Sequence, residues 1–184
     1  MPADRHPRDQ AIAAAVIELL RTKGPKAVNV EAVAAQAGVA KTTIYRRYRD
    51  REEMVGAALD SLASPPPPPE ALSGQAVLEW IIEQSFRAIE SGIGLGGVAA
   101  LLTDEDSRFT SLIRALLVEH RAALSDVVES AAAAGELRPD LDIDTVLDCI
   151  VGAYLAERAR SGNVQSGWAG RILRTVWPAV AAAP

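Results

Sequence analysis

Apolar residues recur at intervals of three and four along most of the chain, a period that predicts helices rather than strands. The first such stripe contains Ile12, Val16 and Leu19 and stops at Gly24 and Pro25. Because glycine and proline end helices, the pattern predicts a first helix that finishes just before them. No stretch alternates apolar and polar residues between hairpin turns, so we expect an all-α fold.

Two short helices joined by a glycine are predicted next. Asn29 stands at the N-cap position of a two-turn stretch rich in valine and alanine, and Gly38 follows that stretch. Asparagine satisfies the first free amide groups of a helix, and glycine adopts the left-handed conformation that a tight turn requires. In the second short helix, Ile44 and Tyr48 share one face, and hydroxyl and cationic side chains occupy the rest. This arrangement suits a helix in the DNA major groove, although an ordinary solvated helix can carry a similar charge run.

A fourth helix and a break follow the basic segment. Asp50 and Glu53 have the spacing of a capping box, which predicts a helix start. Five consecutive prolines occupy residues 65–69. Since proline cannot continue a helix and favours the extended polyproline II conformation, we expect the fourth helix to end near Ala63 and a linker to follow.

From Ile12 to Leu59, the order and spacing of these elements resemble the N-terminal DNA-binding domain of TetR-type transcriptional repressors. The segments that carry the resemblance are Val33-Ala34, Gly38-Val39, Thr43-Ile44-Tyr45, Arg47-Tyr48 and Arg51-Glu52-Glu53. One departure is Ala40, which stands where the family usually has a serine N-cap. The resemblance implies an N-terminal three-helix helix-turn-helix bundle, followed by a C-terminal helical bundle that binds a ligand and dimerises.

The resemblance also implies a division of the chain and a function. Residues 1–50 would form the helix-turn-helix domain (motif at about 29–48), residues 51–69 the connecting helix and proline-rich linker, and residues 70–184 the effector-binding and dimerisation domain. The implied function is a repressor that a small molecule releases from its DNA operator. The partners are a palindromic double-stranded operator, a small-molecule effector and a second copy of the chain. A helical-bundle enzyme or interaction module with an incidental helix-turn-helix is the alternative.

The residues predicted to contact DNA lie on or beside the second short helix and have cationic or hydrogen-bonding side chains: Asn29, Lys41, Thr42, Thr43, Tyr45, Arg46, Arg47, Arg49 and Arg51. Arginine pairs with guanine edges, whereas lysine and tyrosine suit phosphate oxygens. We therefore expect Thr42, Thr43 and Arg46 to reach bases. Phosphate contact is expected of Tyr45 and of the cations Lys41, Arg49 and Arg51. Arg47 could contact either a base or a phosphate.

The distribution of charge agrees with this surface. The chain has a net charge of −5, which taken alone argues against a nucleic-acid partner. Residues 38–51, however, contain five cations and one anion. Because a DNA-binding surface needs only a local excess of positive charge, the net charge does not exclude DNA binding.

Four or five helices are predicted in the second region. The four with defined bounds cover residues 75–90, the stretch from Thr103 or Asp104 to residue 134, and residues 143–160 and 168–180. The four glycines within residues 92–97 predict a flexible turn. Candidates for an apolar effector pocket are the large side chains and the histidine of the first two helices: Trp80, Phe86, Phe109 and His120. For His120, an ordinary core position is the alternative.

The last two helices are expected to pair with their copies in a dimer, as the resemblance implies. Their large side chains are the candidate anchors of that interface: Tyr154, Trp168, Ile172, Val176 and Trp177. The core of the monomer is the alternative position for each of them.

Residue chemistry gives no support for an enzyme. No catalytic Ser/His/Asp or Cys/His set, cofactor motif or metal-ligand spacing is convincing in the sequence. Cys149 lies in an apolar helical run and is expected to be a small buried thiol. The N-terminus has no signal-peptide pattern, and the longest apolar run is too short to span a bilayer. We expect a cytoplasmic protein that uses no metal or cofactor and does not contact a membrane.

Overall fold

The computed structural model describes residues 7–63, 65–69, 73–104 and 106–182, which form nine α-helices. An isolated antiparallel bridge between Leu137 and Ala181 is the only β-type pairing in these residues, so the all-α prediction is confirmed. In chain order the helices are α1 (Pro7–Lys23), α2 (Val30–Ala37), α3 (Lys41–Tyr45), α4 (Arg51–Ala63), α5 (Gly74–Arg87), α6 (Gly94–Thr103), α7 (Ser107–Ala133), α8 (Ile143–Ser161) and α9 (Trp168–Val180).

The chain divides into two compact units. The first comprises Met1–Ser64 and Ala88–Glu119, and the second comprises Pro65–Arg87 and His120–Pro184. Helices α1 to α4 and α6 belong to the first unit, α5, α8 and α9 belong to the second, and α7 contributes to each. This division follows spatial packing and differs from the predicted bounds at residues 50 and 70. Residue 70 itself lies outside the described residues.

The caps of the two short helices in the first unit follow the sequence rules. The Asn29 side chain accepts a hydrogen bond from the Ala32 amide at 2.9 Å, and Gly38 is left-handed with φ of 65°. The Gly38 amide in turn donates to the Ala34 carbonyl. Ala40 precedes α3 and provides no side-chain cap, as its methyl group requires. The predicted helix-turn-helix is therefore present.

The start of α4 departs slightly from a capping box. The Asp50 carboxylate accepts from the Glu53 amide at 2.8 Å, as expected. The Glu53 carboxylate accepts from the Arg49 amide at 2.7 Å instead of from the amide of Asp50. The helix ends at Ala63, and the prolines at residues 65–69 are not helical, so the predicted break is confirmed.

The glycine-rich segment is packed rather than flexible, and the prediction of a simple turn is wrong. Helix α5 continues into one turn of π-helix, Ala88–Ile93, in which Gly92 leaves helical geometry. Helix α6 then begins at Gly94. A Cβ atom on Gly96 would lie 2.8 Å from the Leu20 carbonyl oxygen and 3.0 Å from the Gly24 nitrogen. Glycine thus lets α6 approach the backbone at the end of α1.

The kink at Gly92 also bears on membrane insertion. Gly74–Thr103 is the one stretch of the described chain that is long and apolar enough to cross a membrane by length and composition, and buried helices of soluble proteins meet the same criterion. The kink interrupts this stretch at Gly92, between α5 with its π-helical turn and α6.

Helix α7 begins later than the sequence predicted. Asp106 is its cap, because its carboxylate accepts from the Phe109 amide at 3.1 Å. Asp104 instead ends α6 in the left-handed conformation, with φ of 52°. The predicted caps at Thr103 or Asp104 are therefore wrong.

The second unit is organised around an aromatic cluster between α5, α8 and α9. The rings of Phe86 and Tyr154 meet edge to face at 5.2 Å, and Tyr154 meets Trp168 in the same way at 5.7 Å. Asp142 caps α8 by accepting from the Thr145 amide at 3.1 Å. Cys149 on α8 is exposed in the single chain, which contradicts the expected buried thiol. Its neighbours Leu147 and Ile150 occupy the buried side of the helix instead.

Candidate nucleic-acid interface

Helix α3 is held in the first unit by a single buried side chain and an adjacent tyrosine. Ile44 is 1% exposed and packs in the core with residues of α1, α2 and α4. Tyr48, four positions later, packs against the same core while remaining half-buried. The predicted inward pair is therefore confirmed. Because it fixes the rotation of α3, the opposite side of the helix faces solvent.

The outward side of α3 has the chemistry of a DNA-reading surface. Lys41, Thr42, Tyr45 and Arg46 are exposed, and Thr43 is half-buried beside them. Tyr45 is 63% exposed, although it is a large aromatic residue. Arg46 has no ion-pair partner among the residues that the structure describes. Hydroxyl, phenol and guanidinium groups on one short helix can reach base edges and phosphates together.

Two further cations on this surface form exposed ion pairs. Lys41 pairs with Glu31 of α2, and this hydrogen bond, followed by the charge of Lys41, lowers the pKa of Glu31. Arg49 pairs with Glu53 at 3.1 Å, and 86% of the Arg49 side chain is exposed. The pKa of Glu53 is lowered, chiefly by the Arg49 amide. Exposed ion pairs contribute little to stability, so both cations can exchange their carboxylate for a phosphate.

Arg51, for which a phosphate contact was predicted, has internal partners in the single chain. Its Nε donates to the Val28 carbonyl oxygen at 2.6 Å, and a terminal nitrogen donates to the Pro25 carbonyl oxygen at 2.5 Å. The same nitrogen lies 3.0 Å from Oδ2 of Asp106. This guanidinium joins the turn before α2 to the starts of α4 and α7. These contacts connect three segments of the first unit.

Arg47 and Asn29 also have internal partners. The Arg47 terminal nitrogen lies 2.6 Å from a carboxylate oxygen of Asp9 in α1, and the side chain is only 23% exposed. Asn29 is exposed, but its side-chain oxygen caps α2. Of the cations in residues 38–51, three therefore face outward, namely Lys41, Arg46 and Arg49. Asp9 and Asp106 could not be identified from sequence because each is distant along the chain from its arginine.

The four candidate pocket residues do not belong to one unit. Phe109 is buried in the core of the first unit, whereas Trp80, Phe86 and His120 belong to the second. Trp80 and His120 are buried, and Phe86 borders a groove between α5 and the loop before α9. The sequence did not indicate the exposed acids and the loop residues of that groove, because they follow no periodic pattern, and Ile82 and Trp168 read as ordinary apolar helix positions. Pocket lining by Trp80 and His120 remains a prediction.

The dimer candidates divide into two groups. Tyr154 and Trp168 are buried in the aromatic cluster of their own unit, which is the alternative that the sequence left open. Ile172, Val176 and Trp177 are half-buried on α9. Their apolar side chains are partly exposed in the single chain. Pairing of these three residues with a second copy therefore stays a prediction.

Comparison with known proteins agrees with this geometry. Residues 12–58 match the family model of bacterial regulatory proteins of the tetR family, and residues 75–176 match the model described as Tetracyclin repressor-like, C-terminal domain. The chain is 29% identical to the HTH-type transcriptional regulator YdeS of Bacillus subtilis, over 79% of this chain and 77% of that one. It is 28% identical to the HTH-type transcriptional repressor KstR2 of Mycolicibacterium smegmatis, over 79% and 73%.

A solved structure has the same fold. The transcriptional regulator FadR from Bacillus subtilis, in complex with stearoyl-CoA, superposes with a TM-score of 0.64 at 17% identity, covering 91% of this chain and 96% of that one. The comparisons point to transcriptional regulators rather than to enzymes.

Proposed function

Because the chain belongs to the TetR family of bacterial regulatory proteins, we propose that it represses transcription as a homodimer bound to a two-fold symmetric DNA operator. A small molecule that binds the C-terminal region releases it from that operator. The observation that carries this proposal is the outward face of α3, where hydroxyl, phenol and guanidinium groups stand over a buried Ile44. The protein acts in the cytoplasm, where bacterial DNA lies.

The contacts to DNA are divided by chemistry. Thr42, Thr43 and Arg46 read base edges, since threonine and arginine offer groups that match them. Lys41, Tyr45 and Arg49 hold phosphates and set the position of α3 in the major groove. The two inward arginines described above keep the helix-turn-helix rigid and take no phosphate.

Control of DNA binding by a ligand is supported by two similar proteins and by the thermodynamic coupling of the two binding events. KstR2 is named a repressor, and FadR binds stearoyl-CoA in its solved structure. A ligand changes operator affinity only when it binds one conformation better than the other. Release therefore requires a conformation of this chain that binds ligand well and DNA poorly.

Symmetry of the operator follows from the dimer. Two copies related by a two-fold axis present two α3 helices to two half-sites, so the operator repeats with inverted symmetry. Helix α9 supplies the apolar surface for this contact through Ile172, Val176 and Trp177. Half-buried apolar groups of this kind are typical of an interface that a single chain leaves uncovered.

Selection from a pool of random DNA duplexes tests the proposal. The purified chain should enrich a sequence with two inverted half-sites, and sedimentation of the complex should give two chains per duplex. Enrichment of an asymmetric site by a single chain would contradict the dimer, and the absence of any enriched sequence would contradict operator reading.

The substitution Val176→Asp tests the assembly. A buried charge in the α9 interface should give monomers at micromolar concentration that remain helical. Thr175→Asp is the matched control, because Thr175 is exposed on the polar side of the same helix. A Val176→Asp protein that still sediments as a dimer would place the interface elsewhere.

A further inference from the structure

A groove in the second unit has the size of a small-molecule site. Its volume is about 410 Å³, and it lies between one side of α5 and the loop that leads into α9. Ligand sites typically enclose about 300–1,000 Å³. The loop wall is formed by residues 164–167, and Ala169 of α9 completes it. All of these residues belong to the same compact unit.

The floor of the groove is apolar and aromatic. It is formed by Ile82, Phe86 and Trp168. The Phe86 and Trp168 rings lie 6.1 Å apart at an angle of 33°. Trp168 and Ile82 are buried by the protein itself, whereas Phe86 stays half-buried. Such a floor favours an apolar body, and aromatic faces also attract cations.

The rim of the groove is acidic. Glu79 and Glu83 are four positions apart on α5, so their carboxylates lie on one side of the helix, and each is exposed. Arg87 lies 4.0 Å from Glu83, at the limit of an ion pair, and does not line the groove. Among the described residues that line the groove there is no lysine, arginine or histidine. The groove therefore has a negative potential that its own residues do not neutralise.

The loop wall is held in place by an ion pair between the buried Glu157 and the partly exposed Arg171. Glu157 of α8 accepts from the Gln165 amide at 3.1 Å and from Arg171 at 2.7 and 2.9 Å. Arg171 also donates to the Ser166 carbonyl oxygen at 3.3 Å. These contacts fix the loop without a ligand, so binding need not order it.

From this combination we infer that the groove binds an organic cation with an apolar, aromatic body. The body lies on Phe86 and Trp168, and the positive centre lies between the carboxylates of Glu79 and Glu83. An anionic ligand of the same shape is repelled by those carboxylates. Binding of the cation is independent of the DNA-binding role, whereas its action as the effector rests on the proposed function.

Isothermal titration of the full chain with tetraphenylphosphonium and tetraphenylborate tests this inference, because the two ions have the same shape and opposite charge. The cation should bind at one saturable site at least about tenfold more tightly than the anion. The double substitution Glu79→Gln and Glu83→Gln should weaken cation binding by about tenfold. The control Asp126→Asn with Glu129→Gln removes two exposed carboxylates of α7 and should leave the affinity unchanged.

A second variant tests the location of the binding site and leaves Glu79 and Glu83 unchanged. Ala169→Trp places a ring in the groove and should abolish cation binding, whereas Thr175→Trp on the polar side of α9 should not. Equal affinity for the two ions, or cation binding that survives both Ala169→Trp and the loss of the glutamates, would overturn the inference. Operator binding of each variant is measured separately, so a failure of DNA recognition is distinguished from a failure of this site.

Discussion

Arg46 and Arg49 are three positions apart and both exposed, yet their surroundings differ. Arg46 has no ion-pair partner in the described chain and lies one residue after α3, whereas Arg49 pairs with Glu53. Arginine without a partner is ready to form two hydrogen bonds to a guanine edge. An arginine that is already part of an exposed ion pair, at the end of the surface, is suited to exchange that carboxylate for a phosphate.

These surroundings predict different effects on DNA binding for the alanine variants of Arg46 and Arg49. Arg46→Ala should cost about 1–3 kcal/mol of operator affinity and relax the preference at one base pair of each half-site. Arg49→Ala should weaken binding to all sequences similarly and reduce the slope of log K against log salt by about 0.9 for each lost contact. Fluorescence anisotropy with single-base operator variants separates the two. If Arg46→Ala weakened binding to all operator variants equally, Arg46 would not contact bases.

Arg51 gives the opposite prediction to Arg49. Its guanidinium satisfies two carbonyl groups and pairs with Asp106, so Arg51→Ala should lower the free energy of unfolding by about 2 kcal/mol. The salt slope of operator binding should stay at the wild-type value, because no phosphate contact is lost. Urea denaturation and salt titration of the same variant measure the two effects. A reduced salt slope with unchanged stability would mean that Arg51 turns outward to hold DNA.

At the scale of elements, glycine determines how closely α6 packs on α1. A Cβ atom at Gly96 would meet backbone atoms of Leu20 and Gly24, which cannot move aside as a flexible side chain can. Gly96→Ala should therefore destabilise the fold by about 1–3 kcal/mol. Gly56→Ala is the matched control: it is also a helix interior glycine, with nothing within 4 Å of the added atom, and should stabilise by about 0.5–1 kcal/mol. Thermal unfolding compares them, and equal effects would show that α6 can shift to accept a methyl group.

The contribution to stability of the contacts that Glu157 of α8 makes with Gln165 and Arg171 depends on pH. Arg171, followed by the Gln165 amide, lowers the pKa of Glu157 below its ordinary value of 4.5. Since the unfolded chain then binds the proton more readily, the carboxylate stabilises the fold above the ordinary pKa. This contribution is lost as the pH falls through the lower pKa of the folded state.

Glu157→Gln tests this linkage. The difference in unfolding free energy between wild type and the variant should be largest near neutral pH and shrink as the pH falls from about 6 to about 3. Glu129→Gln, which removes an exposed carboxylate of α7, is the control substitution. A Glu157→Gln difference that is constant over this range would mean that the ion pair contributes nothing to stability.

At the scale of the whole molecule, features with a partner nearby in sequence were predictable, and those with a distant partner were not. Asn29 caps an amide three residues away, so the sequence alone identified the start of α2. Arg51 binds Asp106, which is far along the chain and gives no local signal. The packing of Tyr154 and Trp168 on Phe86 is equally invisible in the pattern, so the sequence left both the dimer interface and the monomer core open for them.

As a member of the TetR family, the chain is a DNA-binding, ligand-responsive transcriptional regulator. The most direct test of the DNA-reading surface proposed for it is a titration of the selected operator and a scrambled duplex of equal length at about 50 and 200 mM salt. The operator should bind at least about a thousandfold more tightly than the scrambled duplex, and affinity for each should fall steeply with salt. Equal affinity for the two duplexes, or binding that does not respond to salt, would contradict operator recognition by the outward face of α3.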